Sequence, residues 1–424
     1  MSGDQSLLKR INRMALIRHV KARPGLARGD LAALTGLAES TISVLVNELI
    51  AEGWLRARDA PGGGVGRRPK LLELDGTRLA LLGADLGVDY LNVVACDLRG
   101  EILSARRIDY HHREIERSVR ALADLLAEAH AAVAAGGHRP LGAGVGVPGM
   151  VTTGGLLRIA PNIGWRDVAV GPLLAAALDR AGYGDLELSV LNDADAGALS
   201  EYVFGPSPVP TSLVFLSLGY GVGSGIVLGE GLHVGHDGLA GEVGHSILQP
   251  GGVRCACGRR GCAETLLSQR ALSRAVTGRE EPVLPVAELE ARIEAGDPAA
   301  VHAVTAAAET LGLVIHNLVV TLDPEAVVVG GPLGRLDGLV EAALASLRRH
   351  AGESPSHRVV VRTSRFGADA CAVGAAGSVL QRFLAPLGAA APWGGPGAGE
   401  RRGPLPGSAA GGRGPEVANR GRAG

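Results

Sequence analysis

The sequence predicts an α/β fold behind a small N-terminal head, followed by a tail that lacks a core. Three observations predict it. Between residues 80 and about 380, short apolar runs alternate with long helical patterns. The runs are LALLGADLG (79–87), LNVVACD (91–97), LGAGVGVPG (141–149), LELSVLND (186–193), SLVFLSLG (212–219) and AVVVGGP (326–332). The helical patterns are ERSVRALADLLAEAHAAVAAG (116–136), VGPLLAAALDRAG (170–182) and AAVHAVTAAAETLGLVIHNLVVTLDP (299–324). Strands mixed with helices of that length argue for layers of both. Second, the first 76 residues have another texture, helical and then turn-rich. Third, from about Pro386 the chain turns to glycine, proline, alanine and arginine with almost no large apolar side chain. The expected domains are therefore 1–76, 77–385 and 386–424. The last is expected to be disordered, because it cannot bury enough surface to offset its ordering entropy.

Composition narrows the function. The chain has 424 residues, 46% hydrophobic and 20% charged, with a formal net charge of −1. That balance supports a sizeable core and gives no overall attraction to nucleic acid or to a membrane surface. Aromatics at 3% leave too few rings for a groove that stacks single-stranded bases. No apolar leader follows Lys9 and Arg10, and no run approaches the ~18 consecutive apolar residues of a membrane span. Three of the five cysteines cluster at 255, 257 and 262, whereas Cys96 and Cys371 sit alone in apolar segments. That is no secreted disulfide pattern, so a cytoplasmic protein without membrane partners is expected.

The head reads as a DNA-binding unit. In RGDLAALTGLAESTISVLVNELIAEGWLRAR (28–58), Asp30 is placed to cap a short helix carrying Leu31 and Leu34, and Gly36 permits a tight turn. A second helix follows with Ile42, Leu45, Val46 and Leu49 at helical spacing, stopped at Gly53. Ala38 stands where a serine cap is usual. The opposite face offers Ser40, Thr41, Ser43, Val44 and Asn47, small groups that suit base edges and phosphates in a major groove. PGGGVGRRPKLLEL then places Arg67, Arg68 and Lys70 in a basic hairpin wing. Residues 1–76 carry twelve Lys/Arg against eight Asp/Glu, a local positive surplus in a nearly neutral chain. A helical interaction domain without DNA contacts is the alternative.

Glycine loops come next. LLGADLGVDYLNVVACDLRG (81–100) gives strand, turn, strand, and it is similar to the opening hairpin of sugar kinases with the actin-like ATPase architecture. LSLGYGVGSGIVL (216–228) repeats the pattern without the helix that a dinucleotide fingerprint needs. GGPLG (330–334) resembles the adenosine-side turn of the same architecture. In that kinase pattern a hydroxyl residue approaches the phosphates at each hairpin. Here the positions hold Val88, Asp89 and Tyr220. Asp89 sets a negative charge toward a polyanion and Tyr220 fills phosphate space, which counts against ATP binding.

The most specific stretch is AGEVGHSILQPGGVRCACGRRGCAET (240–265). His245, Cys255, Cys257 and Cys262 supply one imidazole and three thiolates, a complete tetrahedral zinc set with no open position, hence structural rather than catalytic. Arg254, Arg259 and Arg260 favour thiolates beside them. In LNDADAGALSEYVFG (191–205), Asn192 and Asp193 end a strand at a helix start. A carboxylate there can serve as a general base, hold a sugar hydroxyl, or simply take part in a helix cap.

Together PNIGW (161–165), LNDADAGALSE (191–201), GYGVGSGI (219–226), GEVGH (241–245) and CACGRRGC (255–262) resemble the ROK family of repressors and sugar kinases, across nearly all of residues 80–380. The resemblance implies a two-lobed actin-like fold with a sugar cleft and a structural zinc site. It implies that Asn162, Asn192, Asp193, Glu242, His245 and Glu264 contact the sugar, and that Asp193 holds the kinases' catalytic-base position. Members with a winged helix-turn-helix are mostly regulators of carbohydrate genes. The expectation is a sugar-responsive repressor that grips double-stranded operator DNA as a homodimer or homotetramer. An ATP-dependent sugar kinase using Asp193 is the alternative.

Overall fold

The computed structural model describes residues 2–60, 70–206, 210–229, 231–351 and 359–384. Arg67, Arg68 and the tail 386–424 lie outside the described residues. The head comprises α1 (Ser2–Ala22), α2 (Arg28–Thr35), α3 (Glu39–Ala51) and the strands β1 (Leu55–Asp59) and β2 (Lys70–Leu74). The strands pair antiparallel from Leu55↔Leu74 to Asp59↔Lys70, giving the stem of a wing. Gly36 turns the chain at φ +69° between α2 and α3, a conformation in which glycine alone carries no Cβ strain. Ile42, Leu45, Val46 and Leu49 are buried, as their spacing requires.

Two local expectations are corrected. Asp30 does not start α2: Ala27 is the cap, and Asp30, three residues in, accepts a 2.7 Å hydrogen bond from the Ala27 N–H. An acidic residue in the first turn can satisfy a free donor from inside the helix as well as from its edge. Leu34 is exposed, so only Leu31 of that pair reaches the core. Ala38 does cap α3 without a side-chain bond.

The body holds two five-stranded sheets. In the first lobe, β3 (Leu79–Leu86), β4 (Tyr90–Cys96) and β5 (Ile102–Asp109) form an antiparallel meander. After α4 (Ile115–Ala135), β6 (Arg139–Val147) returns parallel to β3. A small sheet of β7 (Met150–Val151), β8 (Leu157–Ala160) and β9 (Trp165–Val168) precedes α5 (Val170–Arg180). Then β10 (Leu188–Asn192) adds parallel to β6 and runs directly into α6 (Asp193–Phe204).

The second lobe repeats the scheme. β11 (Ser212–Leu218) and β12 (Val222–Leu228) form a hairpin, with the short β13 (Gly231–Leu232) at the edge. The helices α7 (Glu264–Leu267), α8 (Gln269–Thr277), α9 (Val286–Glu294) and α10 (Pro298–Leu322) follow. β14 (Ala326–Gly330), α11 (Leu339–Ala351) and β15 (Val360–Thr363) complete the sheet in the order β13-β12-β11-β14-β15. The apolar runs named from sequence all became strands, although the edge strands β5 and β15, with their mixed polar faces, were not among them. α10 has the length and mean apolarity to cross a membrane, which no segment was expected to have. Half of its most apolar stretch is buried in the second lobe, against α8 and α11.

One helix crosses back. α12 (Ala370–Leu384) leaves the second lobe and lies against β3, β6 and α6 of the first. Its backbone is in direct contact there. A Cβ on Gly83 would fall 1.9 Å from the Ala372 carbonyl, and one on Gly144 would fall 1.8 Å from that of Ala375. At its far end the Phe383 ring sits 5.4 Å from that of Trp54. Thus one continuous core joins Leu16, Val20 and Leu49 of the head to Leu199 of α6 and Val379 of α12.

Candidate functional site

A cleft of about 380 Å³ opens between the lobes. It gathers all six residues expected to meet a sugar: Asn162, Asn192, Asp193, Glu242, His245 and Glu264. They come from separate segments, and the fold explains the convergence. β10 delivers Asn192 and Asp193 to its carboxyl end, where α6 begins. The β11–β12 turn closes over them from the other lobe. Gly221 lies so close to Glu264 that a Cβ there would stand 2.5 Å from its Oε2.

Asn192 is the cap of α6. Its Oδ1 accepts from Ala194 N (2.8 Å) and Asp195 N (3.1 Å), while its Nδ2 donates to the Gly149 carbonyl (2.8 Å). The cap role is therefore realised, and it locks the side chain at the cleft floor. Asp193 beside it has a carboxyl pushed up to about 7, first by burial and then by the neighbouring charge of Asp85. Asp85 itself is raised by burial and receives a 2.8 Å hydrogen bond from the Tyr90 hydroxyl. The shift has a stability consequence. The folded state holds the Asp193 proton over a range in which the unfolded chain has released it, so stability falls as pH rises from about 4 to about 7. Asp193→Asn, which carries no charge, is expected to raise the melting temperature at pH 8 by about 5 °C and by much less at pH 4.5. Melting curves of both proteins across that range check it.

The metal-type cluster stands beside the cleft. The donor atoms of His245, Cys255, Cys257 and Cys262 all lie within 4.8 Å of one another. His245 Nδ1 is 3.6 Å from Cys255 Sγ, and Cys257 and Cys262 sulfurs are 3.7 Å apart. A tetrahedral zinc with Zn–S near 2.3 Å has ligand–ligand edges of about 3.7 Å, so the set fits. His245 turns its other nitrogen, Nε2, toward Glu242 (3.8 Å). Glu264 accepts from Cys255 Sγ (3.4 Å) through one oxygen and from Val222 N (3.2 Å) through the other. With a metal bound, Cys255 gives up that proton, and the cluster positions His245 as a ligand and Glu264 through the chain, two residues after Cys262.

The phosphate-side loops are also placed. Tyr220 lines the cleft and hydrogen-bonds Glu281, with the Arg270 guanidinium 5.5 Å from its ring. Asp89 lies exposed at the lip of the β3–β4 turn. Sequence reasoning missed Arg107, whose guanidinium stacks 3.5 Å over Tyr90. It is the one arginine or lysine among the described lining residues. Nothing in its surroundings in β5 marks it, because only the β4–β5 pairing brings it to the cleft. Asp195 and Cys371, which also line the cleft, were missed as well.

On the head, Ser40, Thr41, Val44 and Asn47 are exposed on one face of α3, with Val44 at 57%, and Ser43 is half-buried. Asn47 accepts a 2.7 Å bond from Arg28, so the two present a joined polar surface. Lys70 pairs with Asp59 at 2.9 Å, an exposed pair weak enough to open for a phosphate.

Comparison with known proteins agrees with this geometry. A family model described as ROK family matches residues 81–382, and one described as MarR family matches residues 8–64. A xylose repressor of Caldicellulosiruptor bescii is 31% identical over 347 residues, covering 77% of this chain and 84% of the repressor. A crystal structure titled as a ROK family transcriptional regulator, homologue of the E. coli MLC protein, superposes with TM-score 0.73 at 26% identity. It covers 89% of this chain and 96% of that one. A ROK family glucokinase from Streptomyces griseus, solved with glucose and AMPPNP, reaches TM-score 0.60 at 28% identity over 70% of this chain and 98% of its own.

Proposed function

The chain belongs to the ROK family, and from that premise we propose that it is a sugar-responsive DNA-binding repressor. One observation carries the reading: an exposed helix-turn-helix face and the cleft lined by the six residues expected to meet a sugar sit at the two ends of one continuous core. The regulator structure covers 89% of this chain, more than the body alone, whereas the glucokinase covers 70%, about the length of the body.

In this reading Asn162, Asn192, Asp193, Glu242, His245 and Glu264 hold the hydroxyls of a sugar. Xylose, the sugar in the repressor relative's name, is the first to test. His245, Cys255, Cys257 and Cys262 hold a structural Zn²⁺, whose chemistry is to fix the thiolates and the His245 ring. Ser40, Thr41, Ser43, Val44 and Asn47 read base edges, and Arg67, Arg68 and Lys70 meet phosphates or the minor groove. Two heads in a dimer would match a palindromic site.

The route from cleft to head is α12 together with α6. In the fold α7 and α8 pack against α10, whereas α12 starts at the cleft with Cys371 and ends against Trp54. A switch needs the sugar to favour one lobe arrangement by a few kcal/mol.

The kinase alternative keeps Asp193 but meets Tyr220 and Asp89 on the phosphate side. A sugar panel assayed with ATP decides between them. The repressor reading predicts melting-temperature shifts with sugar and no ADP formation. Turnover at ~1–100 per second, the usual kinase range, would replace it with the kinase reading.

A further inference from the structure

Asp195 is a carboxyl that the fold buries without an internal partner. It is 7% exposed, lines the cleft, and sits in the first turn of α6 two residues after Asp193. Its backbone N–H is taken by Asn192, but its side chain makes no hydrogen bond or ion pair among the described residues. Its charged neighbours are Asp193 on its own helix and Glu242 from the other lobe, both acidic. On the remaining side β12 closes in with backbone: a Cβ on Gly225 would lie 2.8 Å from Asp195 Cα.

The plain structural use of an acid at this position is to reach back to the cap residue's N–H, as Asp30 does in α2. Asp195 makes no such bond, and Asn192 instead ends a strand paired with Val147. Its oxygens are not fully enclosed: they meet the open cleft rather than a protein partner. Burial and the two acidic neighbours raise its proton affinity well above the usual range, and a carboxyl offers an acceptor whether or not it also holds a proton to donate. A sugar hydroxyl, which also donates and accepts, complements both functions. A phosphate or carboxylate group, placed against Asp193 and Glu242, does not.

We propose that Asp195 is a specificity-determining residue of the cleft, reading one free hydroxyl of an unphosphorylated sugar. The inference rests on the sugar-binding reading above and names a contact outside the six-residue set.

A double-mutant cycle tests it on the full chain. D-xylose, D-glucose and the monodeoxy derivatives of each are titrated calorimetrically into wild type, Asp195→Leu and Asp195→Asn. Asp195→Leu is expected to lose tenfold or more in affinity for the parent sugar. One deoxy derivative, lacking the contacted hydroxyl, should bind wild type and Asp195→Leu alike, whereas the others keep the tenfold gap. Asp195→Asn, which keeps shape and both hydrogen-bond functions, should stay within threefold of wild type. Should Asp195→Leu not fold, Asp195→Ala carries the same cycle. Equal losses for every derivative would overturn the inference while leaving the sugar reading intact. No binding of either parent sugar by wild type would overturn both.

Discussion

Cys257→Ser is expected to release the metal and the sugar response together. Cys257 faces Cys262 across 3.7 Å, and the cluster closes only with all four donors. Structural zinc sites bind with ~10–16 kcal/mol of apparent free energy, and exchanging a thiolate for a hydroxyl forfeits a large part of it. The consequence reaches the cleft because His245 and Glu264 belong to both places. Without the ion, His245 can turn its ring away from Glu242, and the α7 start that carries Glu264 loses its anchor. Metal content after dialysis against a mild chelator should fall from about one per chain to near zero, and sugar affinity should drop about 100-fold or more. Operator binding without sugar should persist, since among the described residues the head packs against α12. Full metal occupancy in the variant would remove the site; full sugar affinity without metal would remove the coupling.

Gly374→Ala is expected to be among the more damaging single methyls in the body. Gly374 lies inside α12, where a Cβ would fall 1.6 Å from the Ala196 carbonyl oxygen and 2.8 Å from Ser200 N. Both obstacles are backbone of α6, so no side chain can turn aside. The two helices must separate, and α6 carries Asn192, Asp193 and Asp195 at its start. Overpacking of this kind costs about 3 kcal/mol or more, a melting-temperature fall of about 5 °C or more for a body of this size, and sugar affinity should fall with it. Gly171→Ala is the control. A Cβ there meets only Val190 at 3.5 Å, inside α5, where alanine is the better helix former by up to ~1 kcal/mol. It should melt at or above the wild-type temperature. Thermal melts of the pair test whether α6 and α12 are locked by backbone contact.

Much of this was legible in the chain because the signals are local. Cys-x-Cys with a third cysteine and a nearby histidine implies a closed metal site wherever it folds, and the structure groups those four residues. Ile42, Leu45, Val46 and Leu49 gave the buried face of α3 by spacing alone. What escaped notice depends on partners far away in sequence. Arg107 reaches the cleft through β4–β5 pairing. Glu201, a fully buried carboxylate in α6, is satisfied by Arg362 at 2.7 Å, Ser364 Oγ at 2.7 Å and Arg365 N at 3.1 Å, all more than 160 residues on. No window of sequence shows that this glutamate ties α6 to the end of the second lobe's sheet. The place of α12 escapes notice for the same reason. The metal cluster draws attention by its chemistry, while α12 reads as an ordinary run of alanine, glycine and valine whose importance is where it lands.

The central claim is that sugar in the cleft sets the affinity of the head for DNA. Fluorescence anisotropy of a labelled operator, selected from a random duplex library with the full chain, measures it directly as each sugar is titrated at fixed salt. At least one sugar should change operator affinity tenfold or more, with no further change on adding ATP. Operator affinity unmoved by any sugar that the same preparation binds would contradict the account.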